Sequence, residues 1–414
     1  MSAPDPQRRR VLGACGAAML DLSSLRLWPE DGWLRDCDTH EALAPLRAHA
    51  LWARIWQGVD PAALWDVHVH LLGVGGGTSG VWLHPDMDRW WHPVEYVRKR
   101  FFLNAACTAE EPGADPQYYH ELLRLLRDFP GPARLLLLAF DYAHDTQGAM
   151  DRDGSTMHVP NRHAAAVAAR HPGAFGWIAS IHPYRADAVS ALEDAARGGA
   201  LAVKWLPPGQ GMDPADARCD SFYEAMARLH LPLLTHAGDE RSVRAGGRNA
   251  LGNPLRLRRA LDHGVRVIVA HCASLGAGVD LDRGADGPEV SNFDLFARLM
   301  GEARYEKLLY GDISALGLLG RNGEELGAVL RQGEWHERLL YGSDYPLPGA
   351  PLLYSFSGLA GSGYLTEAES DYLRQLRRVN PLLADFACKR LLRAQGRGFA
   401  DGVFRTRPFF EQRA

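Results

Sequence analysis

The chain has 414 residues, of which 46% are hydrophobic and 23% charged, with a formal net charge of −4. These proportions are ordinary for a globular protein, and the length admits one large domain or two smaller ones. The charge carries no polybasic signature, which argues against a nucleic-acid partner, and no run of 18 apolar residues exists to span a membrane.

The N-terminus reads QRRRVLGACGAAML. Arg8, Arg9 and Arg10 ahead of the apolar stretch Val11–Leu20 resemble a twin-arginine export segment. The stretch is short, however, and Asp21 ends it without an A-x-A site. A cytoplasmic protein is therefore the first expectation and periplasmic export the alternative. Residues 1–60 are read as an N-terminal arm with a helix in EALAPLRAHALWARIW, 61–395 as the main domain and 396–414 as a C-terminal tail. The six cysteines, Cys15, Cys37, Cys107, Cys219, Cys272 and Cys388, form no CxxC pair. In a chain this long they are expected to be reduced and mostly buried, not a disulfide framework.

From residue 61 short apolar runs alternate with helical stretches such as CDSFYEAMARLH, NPLRLRRALDHG and NFDLFARLMGEARY. The eight runs are Trp65–His70, Arg134–Asp141, Phe175–His182, Leu201–Leu206, Leu231–His236, Val265–His271, Lys307–Ile313 and Arg338–Asp344. Strand–helix alternation implies parallel pairing through right-handed crossovers. Eight such units predict an α/β fold of the (β/α)8 TIM-barrel type, with the N-terminal arm and C-terminal helices outside it. A doubly wound open sheet is the alternative, disfavoured because no GxGxxG follows the first run. The long gap 71–133 holds LLGVGGGTSGVWLHPDMDRWWHP, whose glycine run lacks the Lys-Ser/Thr of a phosphate loop. A mobile lid and a plain flexible insertion are the two readings of that gap.

In such a barrel the C-terminal ends of the strands converge on one mouth. The first run ends Asp66-Val67-His68-Val69-His70. Strict alternation points Asp66, His68 and His70 to one face, where two imidazoles can grip one cation. The fourth run carries Lys204, the fifth ends in His236, the sixth in His271 and the eighth in Asp344. A titratable group at the end of an apolar run is costly to bury unless it is paired or coordinated. One such histidine is easily a core residue; five strand ends agreeing is hard to explain as packing. Cys272 is expected to point away from the interior, and Asp312 in YGDISAL is either structural or at the mouth.

The ordered set of HxH, Lys, His, His and Asp, with the endings LLTHAGDE, VIVAHCASLG and LLYGSDYPLP, resembles the amidohydrolase superfamily. It looks most like the amidohydrolase-related branch that also holds aminocarboxymuconate-semialdehyde decarboxylase-like enzymes. The resemblance covers roughly residues 61–350. It implies a divalent metal, zinc first, held by His68, His70, His236 and Asp344, with one ion favoured over two. His271 and a carboxylated Lys204 join the ligands if there are two ions; otherwise His271 is an acid/base or polarising group. Asp344 and His271 are the implied catalytic residues, and Asp66 is a candidate to orient His68 or His70. The implied reaction is hydrolysis of an amide, lactone or ester of a small molecule by a metal-activated water. Non-oxidative decarboxylation of a small carboxylated substrate is the alternative, and a non-enzymatic binding barrel a distant third. Substrate-pocket candidates are His182, Arg185, Trp205 and Arg241, with Asp141, Tyr142, His144 and Tyr184 nearby; Arg185 or Arg241 would clamp a carboxylate. A homo-oligomer is compatible with the sequence.

Overall fold

Each of the eight apolar runs contains a strand: β1 (Trp65–His70), β2 (Arg134–Leu138), β3 (Phe175–Ile178), β4 (Val203–Trp205), β5 (Leu233–Thr235), β6 (Val267–Val269), β7 (Leu309–Asp312) and β8 (Leu339–Leu340). The structure is a computed structural model and describes residues 30–38 and 42–411; the arginine-rich segment and Cys15 lie outside them. All pairings between these strands are parallel, β1 to β2 to β3 and β4 through β8. Two bridges join the sheets into a ring: Ala179 pairs with Val203, and Val69 pairs with Tyr345. Backbone bonds from Val67 N to Tyr341 O (3.1 Å) and from Asp344 N to His68 O (2.8 Å) complete the closure of β8 on β1.

The barrel interior is filled by alternate residues, as a closed parallel barrel requires. Trp65, Val67, Leu136, Leu138, Ile178, Ala202, Leu234, Ile268, Ala270 and Leu340 form one buried cluster. A larger cluster lies between the strands and the surrounding helices and contains Val69, Leu137, Val203 and Val269. Burying each such side chain contributes about 1.5–3 kcal/mol. The first strand breaks the alternation. Its register against β2 shifts between Asp66 and Val69, so that Trp65 and Val67 face the interior while Val69 joins the outer layer. This bulge corrects the expectation that Asp66 shares a face with His68 and His70. Bulges re-aim side chains in this way beside functional sites.

The C-terminal residues are part of the barrel. Phe409 and Phe410 belong to the interior cluster, Phe410 stacking 6.2 Å from Trp65, and they close the end opposite the mouth. Thr406 Oγ1 accepts from Trp65 N at 2.8 Å. Before this plug, the helix Glu367–Val379 starts in a capping box of Thr366 and Glu369, and Asn380 caps the next helix, Pro381–Leu391; each cap satisfies N–H groups that the first turn leaves free.

The arm packs outside the strands: Trp56 stacks 4.5 Å from Phe386, and Arg35 donates to Ala105 O (2.9 Å) and Glu121 (2.7 Å). Cys37 is joined to Cys107 by a disulfide, which overturns the expectation of reduced thiols for this pair. Cys219, Cys272 and Cys388 are free and buried as expected. The glycine run after β1 is pinned by Asp115, which accepts from Val74 N (2.6 Å) and Gly75 N (3.1 Å). Gly75 has φ +75, and a Cβ there would meet Val81 O at 2.6 Å, so a side chain is excluded on both counts. Among the described residues, no helix is long and apolar enough to cross a membrane.

Candidate active site

The ends of β1, β6, β7 and β8 bring their side chains together at the mouth. His70 Nε2 lies 3.0 Å from Asp344 Oδ1, and His68 Nε2 lies 3.5 Å from the same oxygen. His271 Nε2 is 3.7 Å from Asp344 Oδ2. One donor atom from each of His68, His70 and Asp344 lies within 4.8 Å of the other two, and His68, His271 and Asp312 form a second such group. Three donors at this separation fit a divalent cation between them.

The backbone aims these groups. Asp344 and His271 have φ of +61 and +56, a left-handed conformation that costs a non-glycine residue free energy and concentrates at functional sites. It turns each chain sharply as its strand ends, which period-two alternation does not anticipate. Lys204 shares the face of Ala202 and His236 that of Leu234, so both reach the mouth by simple alternation.

Asp312 does what was expected of Asp66. Its Oδ2 lies 2.9 Å from His68 Nδ1, and its Oδ1 accepts from His271 N (2.9 Å) and Ser314 N (3.0 Å). Burial works against the charge of Asp312, but His68 and Ser314 outweigh it and hold its carboxyl well below the usual range. With Nδ1–H given to Asp312, His68 presents the lone pair of Nε2 to the mouth, a tautomer assigned from these partners. Asp66 instead accepts from the backbone N–H of His68 (3.1 Å) and Ser343 (2.9 Å), tying β1 to β8, and burial pushes it up to about 7.

Lys204 Nζ lies 3.2 Å from His68 Nε2, and burial lowers the amine to about 8. An ammonium and a metal ion cannot share that lone pair, so the two contacts are alternatives. Burial also opposes ionisation of Asp344, yet the surrounding His68, His271 and His70 hold its carboxyl well below the usual range. His236 reaches the mouth, with its ring 5.6 Å from that of His271. Its Nε2, however, faces Asp239 O (3.3 Å) and Glu240 Oε2 (3.6 Å), and it is not among the clustered donors. Burial, with Arg321 adding to it, lowers His236 to about 4.

A cavity of about 300 Å³ opens above these residues and is lined by His68, His70, Lys204, His236, His271 and Asp344. The chain after β1 contributes Met87, Arg98, Phe101 and Phe102 to it. Of the four pocket candidates only Arg241 lines it. His182 is fully buried, with Nε2 on Gln210 O (3.2 Å) and Nδ1 on Tyr184 N (3.2 Å). Arg185 is bound to Asp141 (2.8 Å) and to both oxygens of Asp187 (2.8 and 2.7 Å). Trp205 is buried against Phe222 and donates to Ile181 O at 2.9 Å. Trp205 ends β4 and the other two lie in the segment after β3, but all three are held by neighbours away from the cavity. Glu240 and Arg321, which also line the cavity, escape the sequence because they sit in loops beyond the strand ends. Asp312 and Ser314 carry a readable signal, since they share the inward face of Tyr310.

A closed eight-stranded barrel with imidazoles and carboxylates gathered at its C-terminal mouth defines a TIM-barrel enzyme. The family model described as Amidohydrolase matches residues 65–361, and the chain belongs to that family. Similar solved structures include an uncharacterized TIM-barrel protein from Bordetella bronchiseptica, with 16% identity, 78% of this chain and 99% of that chain covered, and a TM-score of 0.46. A putative 2-pyrone-4,6-dicarboxylic acid hydrolase from Pseudomonas putida has 18% identity, coverage of 69% and 83%, and a TM-score of 0.40. A 5-carboxyvanillate decarboxylase from Sphingomonas paucimobilis has 13% identity, coverage of 70% and 90%, and a TM-score of 0.40. No curated protein matches the chain.

Proposed function

We propose that the chain is a metal-dependent hydrolase that opens an amide, lactone or ester bond of a small organic molecule. The observation that carries this reading is the convergence of His68, His70 and Asp344 donors within 4.8 Å of one another on the floor of a cavity. Imidazole and carboxylate donors suit zinc, and an ion held by these three residues would supply Lewis acidity and water activated at neutral pH. Asp344 is fixed by its backbone bond to His68 O and stays ionised, so it can take a proton from the attacking water and return it to the leaving group. His271, held at Nδ1 by Ser314 Oγ at 2.8 Å, directs Nε2 to the same point and would polarise the scissile carbonyl. Lys204 would have to leave its contact with His68 Nε2 for a metal to take that lone pair; carboxylated, Lys204 would become a ligand itself, with His271, for a second ion. One ion is the preferred reading, and His236 would join it as a fourth ligand only by turning Nε2 from Asp239 O and Glu240.

The test is an assay of metal-stripped protein on a panel of aryl esters, lactones and anilides, with and without added zinc. Zinc-restored release of a carboxylic acid, lost in Asp344→Asn with the metal retained, is the expected result. Release of carbon dioxide from carboxylated aromatics without any hydrolysis would replace this reading by non-oxidative decarboxylation at the same residues. For the compartment, the Cys37–Cys107 disulfide supports the periplasmic alternative over the cytoplasm, because such bridges persist in oxidising surroundings.

A further inference from the structure

The cavity is lined by apolar side chains, among them Met87, Phe101, Phe102, Phe140, Met157 and Leu353, and by the strand-end residues together with Glu240, Arg241 and Arg321.

The cationic groups on the cavity differ in how far they are committed. Arg98 is held by both oxygens of Glu95 at 2.7 and 2.6 Å. Lys204 faces His68. Arg241 has a loose partner in Asp239 at 3.9 Å, with its side chain 43% exposed. Arg321 is different. Among the described residues no carboxylate lies within 4.0 Å of it, and the one hydrogen bond of its side chain is from Nη1 to Ser274 Oγ at 3.2 Å. Nε and Nη2 therefore have no protein acceptor. Burial works to lower this guanidinium, and the nearest compensation is the more distant charge of Asp344, Glu240 and Asp312. Arg321 is of intermediate exposure and none of its nitrogens is among the buried atoms without a partner, so Nε and Nη2 are open to the cavity that the residue lines and free to take an acceptor. A planar fork of donors matches a carboxylate, which it can hold through two parallel bonds.

We propose that the substrate is an amphipathic organic anion, with an apolar body against the phenylalanine and methionine side chains of the cavity and a carboxylate received by Arg321. The inference rests on the reading of this cavity as the substrate site. It moves the clamp expected at Arg185 or Arg241 to a residue on the loop after β7. The bond to be cut would then lie over Asp344 and His271, with the anchored carboxylate to one side of it.

The test is binding, so it is independent of turnover. Calorimetric titration of the full chain with 4-phenylbutyrate and with its uncharged amide compares two ligands of the same shape. The native protein is expected to prefer the acid at least tenfold. Arg321→Gln should abolish that preference while leaving the amide within twofold of its native affinity, and Arg241→Gln should keep the preference within threefold. Equal affinities in the native protein, no binding of the acid, or a preference retained in Arg321→Gln would each overturn the proposal. Should Arg321→Gln not fold, Arg321→Lys is read in its place: a preference reduced at least threefold supports the clamp and an unchanged one overturns it. Absence of metal-dependent hydrolysis would count against the proposed function and leave these titrations intact.

Discussion

The Nδ1 of His68 on β1 lies 2.9 Å from Oδ2 of Asp312 on β7, so a carboxylate from one strand decides which imidazole nitrogen a different strand offers at the mouth. Asp312→Asn keeps the shape of the side chain and removes the charge that orients His68. Zinc affinity is expected to fall about 10–100-fold, measured by competition with a chelating dye. Affinity equal to that of the native chain would contradict the role given to Asp312.

His182 supplies a pH dependence of stability remote from the mouth. Burial lowers it to about 2 from an ordinary 6.5, and its bonds to Gln210 O and Tyr184 N suit the neutral ring alone. Below pH 6.5 the unfolded chain takes up a proton that the native chain refuses. The stabilisation is therefore complete above that pH and is lost as pH falls towards 2, by up to about 1.4 kcal/mol per pH unit. Urea unfolding at pH 7 and pH 5 should show a smaller loss in His182→Gln than in the native chain. Equal losses would remove His182 as the cause.

The Cys37–Cys107 bridge spans a sequence separation of 70, and closing a loop of that length restricts the unfolded chain. Reduction is expected to cost about 2–4 kcal/mol, read as a lower urea midpoint in reductant. A non-reducing peptide map should recover the two cysteines in one cross-linked pair; two separate alkylated peptides would contradict the bridge.

Phe410 is 3% exposed and fills the end of the barrel beneath Trp65. Phe410→Ala should destabilise by about 3–4 kcal/mol, whereas a terminal appendage would lose almost nothing. Equilibrium unfolding separates the two.

The barrel was legible in the sequence because its strands are short apolar runs, and a run such as Val265–His271 reads the same whether or not its partners are known. His236 and Asp344 were legible because each ends such a run, and Lys204 because it is a charged residue inside one. Asp66 was misplaced because a bulge between Asp66 and Val69 is a property of the pairing with β2 and leaves no mark in the local pattern. His182 and Trp205 were misplaced for a related reason: lying at or just beyond a strand end does not decide whether a ring turns to the mouth or to the packing behind it. Arg321 and the Cys37–Cys107 pair were hidden because long connections bring them into place, and spacing along the chain says nothing of where such loops lie.

The central claim is that His68, His70 and Asp344 hold a divalent ion, and metal analysis of the purified full chain tests it most directly, with mass spectrometry of Lys204 alongside. About one zinc or similar ion per chain is expected, with no carboxyl adduct on Lys204, falling well below that in a His68→Ala/His70→Ala variant that remains folded. A native chain that binds no divalent ion even after incubation with zinc would contradict the account.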